Sequence, residues 1–517
     1  MIDQVLFRSY PGAFREKIPQ VLLKAVALTA AAALGLMLAG VLVVTDGNVI
    51  PAAGFVAVVA LALITLYRID WGFYALVFAV LLFSQLEVPG FQSLTYQVSY
   101  FRNIKEIPYL PPIQAGVVTP FELHLAFVVF IWLAMLAMGR KVHLQPVSLW
   151  LPASLWLVWM IVAFARGMQS GGEFLPALWE TRAMAYLLFA YFFVPQIVHT
   201  REDVKALIWV IIAGISVKAF EGIVRYREAG WTTGAHETLT SHEDPVFFTT
   251  LFFLLLGLLV FGASRRQRIV LAILFPFLLW GFFVGQRRAA YGGLIISIIV
   301  FLMLIPTVNL RRAVFVLVPV LLLLMGYVTL FWESESRLAT PLQRVRSAVE
   351  GKDEQSEVVV KDRDYYSNLY RKIEDYDLAY TIRSYPLFGT GFGMRYLQPI
   401  ELLRLTVFPL QDFQAHNNIL WLFAKVGAVG FFLFWLFVHV TGFRGAMLVT
   451  KIDDPYLKAV AAMVVVALIN QLIAAYFDLH LVWYRVMFYL GLLMGLVQSL
   501  ENIQKKEIAS EGVAPRA

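Results

Sequence analysis

An all-α, polytopic membrane helical bundle is the fold class that the sequence predicts, and three observations predict it. Of 517 residues, 60% are hydrophobic and only 15% are charged. A soluble domain carries roughly 25% charged residues, so this chain lacks the polar surface to cover itself in water. Apolar runs of roughly 20 residues recur along almost its whole length, each able to cross a hydrocarbon core about 30 Å thick as a helix. Lys and Arg collect in alternate connections between those runs, as they do in membrane proteins of fixed orientation. Together these exclude a soluble enzyme, a nucleic-acid-binding protein and a disordered scaffold. The chain contains no cysteine, which excludes disulfides, thiol catalysis and Cys-ligated metal.

About 12–14 transmembrane helices follow from the length criterion. In order they are Gln20–Val44, Ile50–Tyr67, Trp71–Leu86, Phe121–Gly139, Leu149–Ala165, Ala177–Val198, Val204–Val224, Val246–Gly262, Ile269–Val284, Ala289–Ile305 and Ala313–Trp332, then Ile419–Val440, Leu457–Tyr476 and Leu481–Leu500. The first run follows a basic segment (Arg8, Arg15, Lys17, Lys24) and reads as a retained span rather than a cleaved signal peptide. Two connections are long. Glu87–Pro120 is rich in aromatics and Pro, and Glu333–His416 is the one stretch long enough to fold outside the bilayer. The chain therefore divides into residues 1–332 with the first eleven spans, residues 333–417 as a large extracytoplasmic loop, and residues 418–517 with three spans and a cytoplasmic tail. No internal repeat is visible.

Orientation comes from the basic connections. Arg8, Arg15 and Lys17; Arg68; Arg140 and Lys141; Arg201 and Lys205; Arg265, Arg266 and Arg268; Arg311 and Arg312; Arg444, Lys451 and Lys458; and Lys505 and Lys506 fall in one alternate set. That set is assigned to the cytoplasm, with both termini. The connections Glu87–Pro120, Arg225–Pro245 and Glu333–His416 then lie outside. The short outer turn Gly285-Gln286-Arg287-Arg288 breaks the charge pattern. Ionisable groups at a membrane are costly and tend to mark function.

With this topology the other charged groups gather at the outer rim. Glu122 and His124, Glu180 and Arg182, Lys218 and Glu221, His242, Glu243 and Asp244, and Asp478, His480 and Arg485 all sit near outer span ends. An ion pathway places such groups deeper across the membrane. A rim collection fits a binding or catalytic chamber open to one face. Taken singly, each group also reads as an interfacial anchor.

Within the outer loop, Lys361–Ile382 has the spacing of an amphipathic helix. Tyr366, Leu369, Ile373, Tyr376 and Tyr380 recur at helical intervals among Lys361, Arg363, Arg371, Lys372 and Glu374. Such a helix can lie along the membrane surface. Pro386-Leu387-Phe388-Gly389-Thr390-Gly391-Phe392-Gly393 follows as a tight, non-helical crossing. Then come His416-Asn417 directly before an apolar helix, and Gly427-Ala428-Val429-Gly430 inside it.

Pro-Leu-Phe-Gly-x-Gly, His-Asn at a helix head and Gly-x-x-Gly, in this order, resemble the O-antigen ligase/polymerase superfamily. The family also has an Arg in a short outer turn before small residues, matched by Arg288-Ala289-Ala290-Tyr291. Arg287 stands where the family usually has Ser. The resemblance covers roughly the second half of the chain, from about Arg182. It implies a GT-C-like integral membrane glycosyltransferase of a bacterial-type cytoplasmic membrane. Such an enzyme takes a glycan from a polyprenyl (undecaprenyl) pyrophosphate carrier. It passes the glycan to a glycan or glycolipid acceptor, or to a protein hydroxyl, with no metal and no cofactor.

The residues fit that chemistry. A departing lipid pyrophosphate develops negative charge, which preorganised Arg stabilises with a fork of donors; Arg288, Arg287, Arg182 and Arg371 are the candidates. The acceptor hydroxyl needs a general base, and histidine, with an ordinary pKa near 6.5, suits the task. His416 takes that role, with Asn417 orienting it or binding substrate. Plainer readings stand beside these: His416 as a helix cap, Arg182 as the partner of Glu180, Arg371 as a solvated helix face. His236-Glu237 with His242-Glu243-Asp244 has metal-ligand residue types but no ordered ligand spacing. A transporter or an inactive envelope-assembly protein of the same shape is the rival function.

Overall fold

The structure is a computed structural model that describes residues 20–47, 49–88, 90–91, 94–107, 117–139, 144–230, 238–285, 287–334, 336, 339, 342, 360–405 and 408–511. Arg8, Arg15, Lys17, Arg140, Lys141, His236 and Glu237 lie outside these residues, as does most of the stretch from 335 to 359. Among the described residues the protein has sixteen α-helices and no strand.

The helices are α1 Gln20–Val44, α2 Val49–Tyr67, α3 Ile69–Leu82, α4 Leu94–Gln97, α5 Pro120–Ala137, α6 Trp150–Gln169, α7 Phe174–Ile197 and α8 Arg201–Glu228. They continue as α9 Asp244–Val260, α10 Arg265–Val284, α11 Arg288–Leu304, α12 Leu310–Phe331, α13 Val360–Ser384, α14 Asn418–Lys451, α15 Pro455–Phe477 and α16 Tyr484–Glu511. Each apolar run expected from the sequence corresponds to one of them. Among the described residues eight helices are long and apolar enough to cross a membrane, and five apolar helices are shorter. Helix α7 is long but carries Glu180 and Arg182. The chain is a multi-pass membrane protein.

Several helices overrun their apolar spans because polar residues start or extend them. A capping box of Thr200 and Asp203 starts α8, and Asp454 caps α15 through the N–H groups of Tyr456 and Leu457. Such caps satisfy main-chain donors that the first turn leaves free.

Two compact units are present: Met1–Ala79 with Val98–His143, and Val80–Gln97 with Leu144–Ala517. In the first, Thr119 and Glu122 form a capping box at the head of α5. His124 pairs with the Tyr100 hydroxyl at 2.9 Å. These two rim residues are thus a helix cap and a buried pair.

In the second unit, α16 is the central helix and is almost wholly buried. Gly491 and Gly495, one turn apart, lie directly against the main chain of α7 at Leu187 and Ala190. Small residues at this spacing let helix backbones approach where no hydrophobic effect drives them together.

The Gly-rich crossing is lodged in a break in α14. Gly427 has φ 66° and ψ −176°, which interrupts the helix. The main chain freed there is taken up by the crossing: Thr390 N–H donates to Ala424 O and Gly391 N–H to Lys425 O, each at 2.9 Å. Ala428 N–H in turn donates to Pro386 O at 2.9 Å. Gly389, Gly391 and Gly393 all have positive φ (68°, 89° and 78°), a region that L side chains rarely enter. A Cβ on Gly427 would collide with Leu387 O and Gly389 N. Gly427→Ala is therefore expected to cost on the order of 2–4 kcal/mol. Thermal unfolding of purified protein in detergent should show a clearly lowered apparent Tm. An unchanged Tm contradicts the interlock.

Candidate functional site

Helix ends of the second unit that were expected to share a face do meet. Asn418, at the head of α14, accepts the Leu481 N–H at 2.7 Å, joining it to the α15–α16 turn. That turn carries Asp478, which His242 contacts through Nδ1 at 3.2 Å and Arg287 approaches to 4.0 Å. At the other helix ends Arg201 pairs with Asp454 at 2.6 Å, and Arg444 and Lys505 pair with Glu501.

Helix α13 is built inside out. Glu374, Asp377 and Thr381 are fully buried and form one stripe at helical spacing. Each accepts main-chain N–H from the segment that follows. Thr381 Oγ1 takes Leu397 at 2.9 Å, Asp377 takes Ile400 at 3.2 Å, and Glu374 takes His416 at 3.0 Å. Of the apolar stripe read from the sequence, Tyr366, Leu369, Tyr376 and Tyr380 are exposed and Ile373 is half-buried. The polar stripe thus holds the connection that delivers His416 to the head of α14.

His416 is held at two points. Besides the main-chain bond, its Nδ1 lies 3.1 and 3.2 Å from the two Glu374 oxygens. Its ring meets the edges of Tyr370 and Phe408 at 5.8 and 5.6 Å. Asn417 caps α14 through Leu420 N–H and donates to Asp375 at 3.0 Å. Burial raises the Asp375 carboxyl above its ordinary range, partly offset by Asn417, while Glu374 pushes it further up and Arg371 pulls it down.

Arg288 opens α11 and donates to Asn368 of α13 at 2.9 Å. Arg371, one turn nearer Glu374, exerts its charge on both Asp375 and Asp478. Arg288, Arg371, His416 and Asn417 are therefore gathered on or beside α13 from three separate stretches of chain, and Arg287 lies against Asp478 of the α15–α16 turn. The contacts of Arg288 and His416 on α13 are six residues apart, about 9 Å along its axis.

Arg182 is placed differently. It is buried on α7, one turn before Tyr186, whose ring meets Tyr484 edge-on at 5.3 Å. Its neighbour Glu180 bonds Lys425 of α14 at 2.8 Å and accepts Gly393 N–H at 2.6 Å. Lys425 also donates to Met394 O. The pair bolts the Gly-rich crossing to both helices. Lys425, absent from the sequence-based candidates, looks there like one cation in an apolar helix.

Most of the remaining rim charges neutralise one another. Lys218 contacts Glu221 and lies 3.9 Å from Asp244; Arg225 pairs with Glu221 at 2.8 Å; Arg485 pairs with Glu243 at 2.7 Å and Asp244 at 3.0 Å. Arg485 also donates to the carbonyls of Val80 and Leu81, at the end of α3. Three cations and three carboxylates close a buried neutral network, which lowers the cost of charge in an apolar medium. These groups brace the helices and differ in this from the open chamber lining expected of them.

Asp478 belongs to the arginine cluster. Burial alone raises its carboxyl, but hydrogen-bonded His242 and the Arg287 and Arg371 guanidinium groups outweigh that and hold it well below the usual range. Burial also lowers His480 to about 4, against the pull of Asp478. Among the described residues no group of three or more His, Asp or Glu is arranged to hold a metal ion.

In comparisons with known proteins, no family model and no curated protein matches the chain.

The Asp478 shift has a pH consequence. Its folded value lies below the unfolded value of about 3.9. The stability it contributes is complete above the unfolded value and is lost as pH falls through the lower folded value. Asp478→Asn should thus lower the apparent Tm in detergent at pH 5, and the gap to the parent should close only below about pH 4. A gap already closed at pH 5 contradicts the cluster.

Proposed function

We propose that the protein is an integral membrane glycosyltransferase of the O-antigen ligase/polymerase type. It transfers a glycan from a polyprenyl pyrophosphate carrier to a sugar hydroxyl at the outer face of a bacterial-type cytoplasmic membrane. The observation that carries this is the gathering of Arg288 and Arg371 with His416 and Asn417 around α13, beside the Arg287–Asp478 contact.

The acceptor oxygen attacks C1 of the donor sugar while its proton passes to His416. The bond from C1 to the phosphate oxygen breaks, and the lipid pyrophosphate leaves with the electron pair. Attack opposite the leaving group inverts the anomeric centre, and no second carboxylate is needed as a nucleophile. Arg287, Arg288 and Arg371 meet the growing charge on the diphosphate. Asn417 holds the base-bearing turn. Arg182 remains a candidate for the lipid-diphosphate path beside α16.

Orientation is supported by the cations at the far ends of the second unit, Arg201, Lys205, Arg444 and Lys505 among them, since basic connections stay in the cytoplasm. The site then opens on the opposite face, where lipid-linked glycans are presented.

The test is transfer of labelled glycan from a polyprenyl pyrophosphate donor by purified protein in lipid. His416→Ala is expected to lower turnover about 10²–10⁴-fold, and Arg288→Ala about 10²-fold, each in protein that remains folded. Translocation of donor without change of its linkage would mean a transporter. A folded His416→Ala variant with full turnover removes the proposed base.

A further inference from the structure

We propose that Glu374 is the positioning residue of His416, setting the ring so that Nε2 presents the lone pair that takes the acceptor proton. This role rests on the glycosyl-transfer function above, but the pairing itself can be measured apart from it.

Glu374 is buried to 1% side-chain exposure and lies 42 residues from His416 in sequence. It holds two donors of one residue, the His416 main-chain N–H at 3.0 Å and ring Nδ1 at 3.1 Å. An ionised carboxylate only accepts hydrogen bonds, so Nδ1 must carry a hydrogen. In a neutral imidazole the other nitrogen, Nε2, is then the base. Two attachment points and the flanking Tyr370 and Phe408 edges oppose rotation of the ring.

When Nε2 takes the acceptor proton, the ring becomes an imidazolium with both nitrogens protonated. Glu374 stabilises that cation without itself taking a proton, the division of labour known from catalytic triads. The other charged or titratable groups about this turn include Tyr370, Arg371, Asp375 and Asp377 on α13, with Tyr396, Arg404 and Asp412 from the connecting segment. Arg404 and Asp412 bind each other at 2.8 Å, leaving Glu374 as the carboxylate in contact with the ring.

A purely structural role is the alternative, since Asp377 and Thr381 hold main-chain N–H groups from the same stripe without touching a ring. Nitrogen NMR of the full-length protein in nanodiscs with labelled histidine separates the two. The chain has eight histidines, and the His416 signal is assigned by its loss in His416→Gln. The parent should show Nδ1 protonated and Nε2 bare. Glu374→Gln should move the ring toward the opposite tautomer and lower kcat about 10²–10³-fold, with donor KM changed less than about threefold. Glu374→Asp, which keeps the charge, should recover part of both. Asp377→Asn should lower Tm yet leave the His416 tautomer as in the parent.

An unchanged tautomer in folded Glu374→Gln overturns the proposal, as does an altered tautomer with undiminished kcat. If Glu374→Gln keeps full turnover while His416→Ala loses it, Glu374 falls and the base stands. If the parent transfers no glycan at all, the functional reading falls, and the tautomer measurement still decides whether Glu374 sets the ring.

Discussion

A helix broken in an apolar medium leaves main-chain N–H and C=O groups that must find partners, because hydrocarbon offers none. The break at Gly427 in α14 is met by a second irregular segment, the crossing from Pro386 to Gly393, whose main chain bonds to both sides of it. Neither segment is stable alone, and each supplies what the other lacks. Fixing the crossing fixes the chain before and after it. The buried Glu180–Lys425 pair then ties the crossing to α7 and α14 at once. Residues 394–415 then run from the crossing to His416 at the head of α14, where Glu374 holds it.

The second determinant is the reversal of polarity in α13. A surface helix usually turns its apolar face to the protein. Here the polar stripe of Glu374, Asp377 and Thr381 faces inward because the connection it covers has main-chain donors to satisfy. Tyr366, Tyr376 and Tyr380 on the same helix are exposed, as suits a helix lying at a membrane interface. One helix thereby organises His416, Asn417, Arg288 and Arg371.

Much of this was legible in the amino-acid sequence, and the illegible part has a common cause. Helices were legible because crossing a bilayer demands long apolar runs. The His-Asn pair and the Arg287–Arg288 turn stood out as polar groups where the chain is otherwise apolar. Glu374 was visible only as one charge on an amphipathic helix, and Lys425 only as a cation in a span. Their meaning lies in partners far away in sequence, Glu374 with His416 and Lys425 with Glu180. Periodicity reports which face a residue occupies, not what that face meets. For the same reason Lys218, Glu221, Glu243, Asp244 and Arg485 resembled chamber lining, whereas they close a network among themselves. Helix ends overran their apolar spans for a local reason, the caps at Thr200 and Asp454.

Arg288 meets α13 at Asn368, Arg371 follows one turn on, and the Glu374 carboxylate holds His416. The most direct measurement is a cryo-EM map of the protein in nanodiscs with a polyprenyl pyrophosphate glycan bound. The account predicts diphosphate density in contact with Arg287, Arg288 or Arg371 and the first sugar beside Nε2 of His416. Diphosphate density at the opposite helix ends, near Arg201 and Arg444, or a first sugar remote from His416, would contradict it.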